Sequence, residues 1–207
     1  MREREARLRE IDRRAFQRRL RPILAVYEAA MHPPSEQLPG RRTIMERHAA
    51  YPGFRALVAE RRGPALPLGG AIRGFAYGFH GRRGQWWHDV VRAALADLAG
   101  EEHAARWLDD PFEVAELHVH PDHQGQGLGR RLLNALCEGR PERTVVLSTL
   151  DPAGEDTPAR RLYRSVGMVD LLTGFEFPGG GPPYAVMGAT LPLAPYPSGT
   201  APAAGTA

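Results

Sequence analysis

Apolar residues fall into two rhythms along the chain, and the switches between them outline its elements. Phe54, Ala56 and Val58 occupy alternate positions, which predicts a strand over 54–61. The turn-forming RGPALPLGG of 62–70 separates it from a second strand over 71–80, so the pair reads as a hairpin. TVVLSTL, residues 144–150, is instead a continuous β-branched and apolar run, as expected of a strand buried in parallel pairing. FEVAELHV predicts a strand over 112–119, and two final strands are expected over 169–177 and 184–190, around the GGGPP loop. EARLREI, residues 5–11, alternates well enough for a first strand, with continuous helix over 1–20 as the competing reading.

Helical spacing links Phe16, Leu20, Ile23, Leu24 and Tyr27, predicting a helix from Arg13 to Met31. Pro22 lies inside that pattern, so the helix is kinked there or starts near Leu20. His32-Pro33-Pro34 stops it; a loop over 35–40 and a shorter helix over 41–51 follow. Further helices are expected over 86–98, 101–108, 128–138 and 158–165, with Asp109-Asp110-Pro111 as a breaker and Gly167 closing the last. The order is strand, two helices, two strands, an inserted helical segment at about 84–110, then strand, helix, strand, helix, strand, strand. That is an α/β (α+β) chain with one domain over 1–192, followed by a Pro, Ala and Gly rich tail over 193–207 expected to be disordered.

Composition narrows the function classes. A chain of 207 residues suits one domain with a real core. It has no apolar run long enough to cross a membrane, and MREREARLRE lacks the apolar stretch of a signal peptide, so a cytoplasmic location is expected. The single cysteine, Cys137, falls on the inward side of the helix at 128–138 and is expected to be a buried small hydrophobe. All 27 basic residues are arginine, which excludes a lysine nucleophile or Schiff base. The net charge is only +3, and acids are interleaved with the arginines, so neither nucleic acid nor membrane is an expected partner.

The candidate chemistry concentrates in residues 112–137, FEVAELHVHPDHQGQGLGRRLLNALC. A strand runs into a loop with Gly125, Gly127 and Gly129, which opens directly into an amphipathic helix. Alternate glycines let the backbone turn its N–H groups towards one point, and the helix N-terminus adds a positive dipole end there. Arg130 and Arg131 stand beside it. The arrangement is a seat for a phosphorylated ligand, and a pyrophosphate fits it best. A Walker loop would need Lys and then Ser or Thr after its last Gly, and a dinucleotide fingerprint would need G-x-G-x-x-G with an acid about twenty residues on. Neither spelling is present.

What fits is Gln124-x-x-Gly127-x-Gly129, preceded by Leu117-His118-Val119-His120-Pro121. These residues resemble the coenzyme A motif of the GNAT-type acyltransferases, and the element order resembles their fold over residues 5–192. The resemblance implies a mixed, mostly antiparallel sheet splayed between its fourth and fifth strands, with flanking helices and coenzyme A in the V. It implies an N-acetyltransferase moving an acetyl group from acetyl-CoA to an amine by direct transfer in a ternary complex. A non-catalytic acyl-CoA-binding sensor or protein-interaction module of the same fold is the alternative. The acceptor implied is a small-molecule or peptide amine, without a metal, and a homodimer stays open as the assembly.

Site residues follow one by one. Gln124, Gly125, Gln126, Gly127, Leu128, Gly129 and Arg130 are expected at the pyrophosphate, and the backbone of Leu117, His118 and Val119 at the pantetheine arm. Tyr163, in the segment Ala159-Arg160-Arg161-Leu162-Tyr163 closing on Gly167, resembles the tyrosine of the family's second motif, which sits near the coenzyme sulfur. A base is expected on the 112–119 strand, with Glu116 first and Glu113 second. Strict alternation puts Glu116, His118 and His120 on one face and Glu113, Ala115, Leu117 and Val119 on the other, and a bulge can reverse that parity. His118, His120 and His123 are not expected to form a metal trio, since His123 lies beyond Pro121. The insert with Trp86, Trp87 and His88, together with the loop from Met31 to Arg42, is expected to shape the acceptor pocket.

Overall fold

Seven strands hydrogen-bond into one sheet in the order β1-β2-β3-β4-β5-β7-β6, in a computed structural model that describes residues 6–60, 71–152 and 155–193. The strands are β1 (Arg7–Ile11), β2 (Arg55–Glu60), β3 (Ile72–His80), β4 (Pro111–Val119), β5 (Thr144–Leu150), β6 (Val169–Phe175) and β7 (Tyr184–Thr190). All neighbours run antiparallel except β4 and β5. The turn expected over 62–70 and the tail from 194 lie outside the described residues, as do residues 1–5.

Helices cover both faces. On one side α1 (Arg13–Arg18), α2 (Leu20–Met31) and α3 (Leu38–His48) pack Phe16, Leu20, Ile23 and Met45 onto Val58, Phe75, Tyr77 and Phe79. On the same side α4 (Trp86–Ala99) and α5 (Glu101–Leu108) press Val91, Leu95, Trp107 and Leu108 onto Val146, Leu171 and Val186. The other side belongs to α6 (Leu128–Cys137) and α7 (Pro158–Arg164), which bury Leu132, Leu133, Leu136 and Tyr163 against Ala76, Phe112, Val114 and Leu147. The alternation of Val146 and Leu147 between these two cores is the period-2 pleat of a strand covered on both faces. Each leucine of α6 that is fully withdrawn from water contributes roughly 1.5–3 kcal/mol before entropy is counted.

Two helical boundaries differ from the periodicity. The expected long first helix is broken at Arg19 into α1 and α2, and Pro22 falls in the first turn of α2, where a missing N–H costs no helix bond. The third helix begins at Leu38, before the expected 41, after a single 3-10 turn over Ser35–Gln37. Pro39 and Gly40 look like breakers in sequence, yet Pro in a first turn is a helix starter.

Two irregularities in β4 position everything that follows. It pairs with β5 only through Pro111–Thr144, Phe112–Val145 and Glu113–Val146, and then the strands part. Beyond Glu113, β4 keeps β3 as its neighbour and β5 keeps β7, so the sheet opens into a V between them. The second is a register shift against β3: Tyr77 faces Glu116 whereas Gly78 faces Val114, which makes Ala115 an extra residue, a β-bulge. A Cβ on Gly78 would lie 2.4 Å from the Glu113 carbonyl oxygen and 2.6 Å from the Phe112 ring, so only glycine admits this close approach.

Candidate active site

The wall of the V towards α6 is made of backbone. Gly125 and Gly127 have φ of 72° and 75°, the left-handed region that favours glycine, and Gly127 is the N-cap of α6. The first intrahelical bond is Arg131 N–H to Gly127 O at 3.1 Å, so the amides before it have no carbonyl of their own helix to bond. A Cβ built on Gly125 or Gly127 meets nothing within 4 Å, which shows open space in front of the loop. Such a cradle of forward-pointing amides at a helix N-terminus suits a pyrophosphate. Gly129 differs: its Cβ would lie 3.1 Å from Leu162, so its smallness lets α7 sit against α6.

Side chains in this loop largely hold it in shape. The Gln124 amide donates to the Val119 carbonyl at 3.0 Å, folding the loop back on the strand end. Arg130 donates to the Ser165 hydroxyl at 2.7 Å, joining α6 to the end of α7. Asp122 N–H donates to His120 Nδ1, and His120 and His123 lie 6.0 Å apart ring to ring. Among the described residues no group of three or more His, Cys, Asp or Glu side chains is arranged to hold a metal ion.

The bulge corrects the parity expected for β4. Glu113 stands beside Phe79, Glu116 beside Tyr77 and His118 beside Phe75, so all three share the face of α1–α5, and the two candidate carboxylates are no longer on opposite sides. Their surroundings are nevertheless opposite. Glu116 accepts from Arg41 of α3 at 3.0 Å through Oε1 and from His118 Nε2 at 2.5 Å through Oε2. Burial raises its pKa, but the hydrogen bond from His118 and the charges of His118 and Arg41 outweigh that and hold it below the ordinary carboxylate value. Glu113 has an Oε2 with no hydrogen-bond partner among the described residues, and burial alone pushes its pKa up to about 8. It sits at the vertex, on the last pair joining β4 to β5.

Around Glu116 the fold gathers residues that sequence reasoning missed. The Arg41 guanidinium lies 4.9 Å over the Tyr27 ring, a cation–π contact. Tyr27 meets the His118 ring edge-on at 5.2 Å, and the Tyr77 hydroxyl and His48 Nδ1 share a hydrogen bond of 3.1 Å. Burial lowers the pKa of His48 to about 4, so it is neutral at pH 7. Across the V, Tyr184 of β7 is close enough to raise the pKa of Tyr27. Tyr27 was legible only as a core position, and nothing local in the sequence links it to Arg41.

Tyr163 lies on the opposite face of the sheet, in the core that α6 and α7 share. It is buried, and its pKa is raised to about 12 by burial and then by the Glu116 charge. Cys137 is buried against Leu136 and Val145, with its thiol pushed up to about 12 by desolvation. From the insert, Trp87 Nε1–H donates to Ser148 of β5 at 3.1 Å, while the exposed Trp86 packs on Phe177 at 5.5 Å. His88 turns the other way: it is buried, with Nε2 donating to the Leu108 carbonyl at 2.7 Å, and so ties α4 to α5.

Known proteins share both the sequence pattern and the fold. The acetyltransferase (GNAT) domain family matches residues 53–168, which span the hairpin, the insert, the V and α7. A GCN5-like protein acetyltransferase of Mycobacterium tuberculosis is 36% identical over 194 residues, covering 86% of this chain and 94% of its own. A putative acetyltransferase of Salmonella typhimurium, solved with its cofactor acetyl-CoA, superposes with a TM-score of 0.56 at 20% identity over 94% of this chain and 99% of its own. The NatC complex bound to Gag peptide and CoA contains a chain with a TM-score of 0.60 at 13% identity, covering 90% and 99%. No described helix is long and apolar enough to cross a membrane. With the family matched over more than half its length and a relative aligned nearly end to end, the chain belongs to the GNAT acetyltransferases and is an acyltransferase.

Proposed function

We propose that this protein transfers an acetyl group from acetyl-CoA directly to an amine of a polypeptide. The observation that carries the donor half is the cradle at Gly125 and Gly127, open in front and placed at the mouth of a V whose β4 wall has backbone groups without a partner on β5. The polypeptide acceptor follows the M. tuberculosis relative, which is named a protein acetyltransferase. The amides at the start of α6 would hold the pyrophosphate, and the β4 backbone from Leu117 to Val119 would pair with the pantetheine arm. An N–H of that backbone is suited to polarise the thioester carbonyl.

In the reaction the amine nitrogen attacks the thioester carbon, a C–N bond forms, and the C–S bond breaks to release the coenzyme thiolate. The amine must first lose a proton. We assign that proton to Glu113 in preference to Glu116, taken directly or through one water. A base poised near the working pH is the more effective one, and Glu116 is already held by Arg41 and His118. Tyr163 donates a hydrogen bond to the departing sulfur. With its pKa near 12 it stays protonated and steadies a thiolate whose conjugate acid lies at about 8.5–9, without surrendering the proton outright. The buried Cys137 thiol is unsuited to carry an acyl group, which favours direct transfer.

The test is a thermal shift with acetyl-CoA followed by thiol release in the presence of lysine-containing peptides, peptide N-termini and small amines. Stabilisation by acetyl-CoA and turnover with a peptide amine are expected. Absence of a shift with any acyl-CoA would overturn the donor assignment. Turnover confined to small amines would overturn the acceptor class.

A further inference from the structure

Interleaved in sequence, the described acids and arginines of the N-terminal segment, from residue 6 on, are separated by the fold. Glu10 is spent on Arg55 at 3.0 Å, Asp12 caps α1 by accepting from the Ala15 N–H at 2.7 Å, and Glu60 is ion-paired with Arg19. Arg7, Arg9, Arg13, Arg14, Arg18 and Arg21 remain, all exposed, and no described residue forms an ion pair or hydrogen bond with any of their side chains.

Their placement is regular. Arg14 and Arg18, four apart, share the outer face of α1 at about 5–6 Å, and Arg21 continues the row in the first turn of α2, past the break at Arg19. That face is opposite Phe16, Leu20 and Ile23, which are buried on the sheet. Arg7 and Arg9 alternate with Leu8 and Glu10 on β1, the edge strand, and so project on the side of Ile11, which packs in the same core as Phe16. Arg13 joins the two groups in the first turn of α1. Glu28, seven residues beyond Arg21, bounds the stripe on α2.

We propose that this arginine surface binds the phosphodiester backbone of a nucleic acid. Guanidinium groups match phosphate oxygens in a bidentate fork, and a row of them at helical steps can follow a charged backbone. The exposed large hydrophobic residues among those described are Met31, Trp86, Leu98, Leu150 and Val169, none of which lies in the patch. An acidic membrane surface is therefore the poorer partner, because nothing here would enter the acyl boundary. With no exposed aromatic ring for base stacking among the described residues of the patch, the contact is to backbone and independent of sequence.

Fluorescence anisotropy of the full chain with labelled RNA and DNA duplexes of about 20 base pairs tests this, at salt between about 50 and 200 mM. Binding is expected with log K falling against log salt at a slope of about −3 to −5, near 0.9 per phosphate neutralised. The R14Q/R18Q/R21Q variant should flatten that slope by about 2.7 and weaken binding at least tenfold at the lowest salt, while its melting and its acetyl-CoA shift stay unchanged. Should that variant fold poorly, R7Q/R9Q provides a smaller flattening on a separate element. Tighter binding to the RNA duplex would assign the source as RNA, and equal binding would assign the shared backbone. No binding to either duplex at the lowest salt, an unchanged slope in both variants, or equal binding to polyglutamate or to phosphatidylserine vesicles would overturn the proposal.

Discussion

The two walls of the V are built from different materials. On the side of α6 the groups proposed to work are backbone amides, placed by glycines within five consecutive residues, Gly125 to Gly129. On the side of α2 and α3 they are side chains drawn from distant parts of the chain, Tyr27, Arg41, Tyr77, Glu113, Glu116 and His118, with Ser148 of β5 and Tyr184 of β7 across the gap. A backbone cradle suited to the part that every acyl-CoA shares would tolerate little change. A side-chain constellation can be altered one residue at a time, which is how a fold keeps its donor and changes its acceptor.

The largest effect should come from the backbone wall. Gly127→Val forces a β-branched residue to φ of 75° and fills the open space before the loop, so acetyl-CoA stabilisation should vanish and turnover with it. A thermal shift equal to the wild type would break the contrast drawn here. Next comes Glu113→Gln, which should lower kcat by about 10²–10⁴ and leave the acetyl-CoA shift intact. In the wild type, kcat should rise with pH through about 8 as this carboxyl ionises, and the variant should lose that limb.

Stability gives the same residue a second, opposite readout. The folded pKa of Glu113, about 8, lies above the unfolded value near 4.5, so the folded state holds the extra proton between them. Stability therefore falls as pH rises from about 4.5 to about 8, and the full cost, on the order of 3–5 kcal/mol, is in force above that. Glu113→Gln should remove most of it, melting higher than the wild type at pH 9 while being far less active. A variant that is both inactive and less stable at pH 9 would make Glu113 a structural residue.

Tyr163→Phe should follow, with kcat reduced about tenfold and the KM for acetyl-CoA nearly unchanged, because one hydrogen bond to a charged sulfur is worth about 1.5–3 kcal/mol at most. An unaltered kcat would remove Tyr163 from the chemistry and leave it as packing between α7 and the sheet.

The same division explains what the sequence disclosed. Gln124 to Gly129 is a local signal: the conformation, the helix start and the ligand class all follow from adjacent residues. The V was legible through the order of elements and the family resemblance, and the three pairs from Pro111 to Glu113 bear it out. The bulge at Ala115 was not legible, because it depends on Gly78 of another strand giving way to the Glu113 carbonyl. Without it, alternation separates Glu113 from Glu116. Arg41 was hidden for a related reason, since a charged residue near the start of a short helix has every look of a solvated one until the tertiary fold lays it on Tyr27.

Arg41→Met should produce the smallest change of the series and the most specific one. Losing the guanidinium leaves Glu116 held by His118 alone, so the buried carboxylate loses one of two partners. The Arg41 side chain is 36% exposed, and water screens the pair from that side, which limits the loss to about 1–2 kcal/mol, or roughly 2–8 °C in Tm. Because Glu116 titrates below its unfolded value, the stability that the pair supplies is present above about pH 4.5 and disappears as pH falls through the folded pKa. Wild type and variant should therefore converge in Tm towards acid. In turnover the change should appear as a several-fold higher KM for the peptide acceptor, with the KM for acetyl-CoA unmoved, because α3 borders only the side-chain wall. An equal rise in both constants would show that the two walls do not act separately.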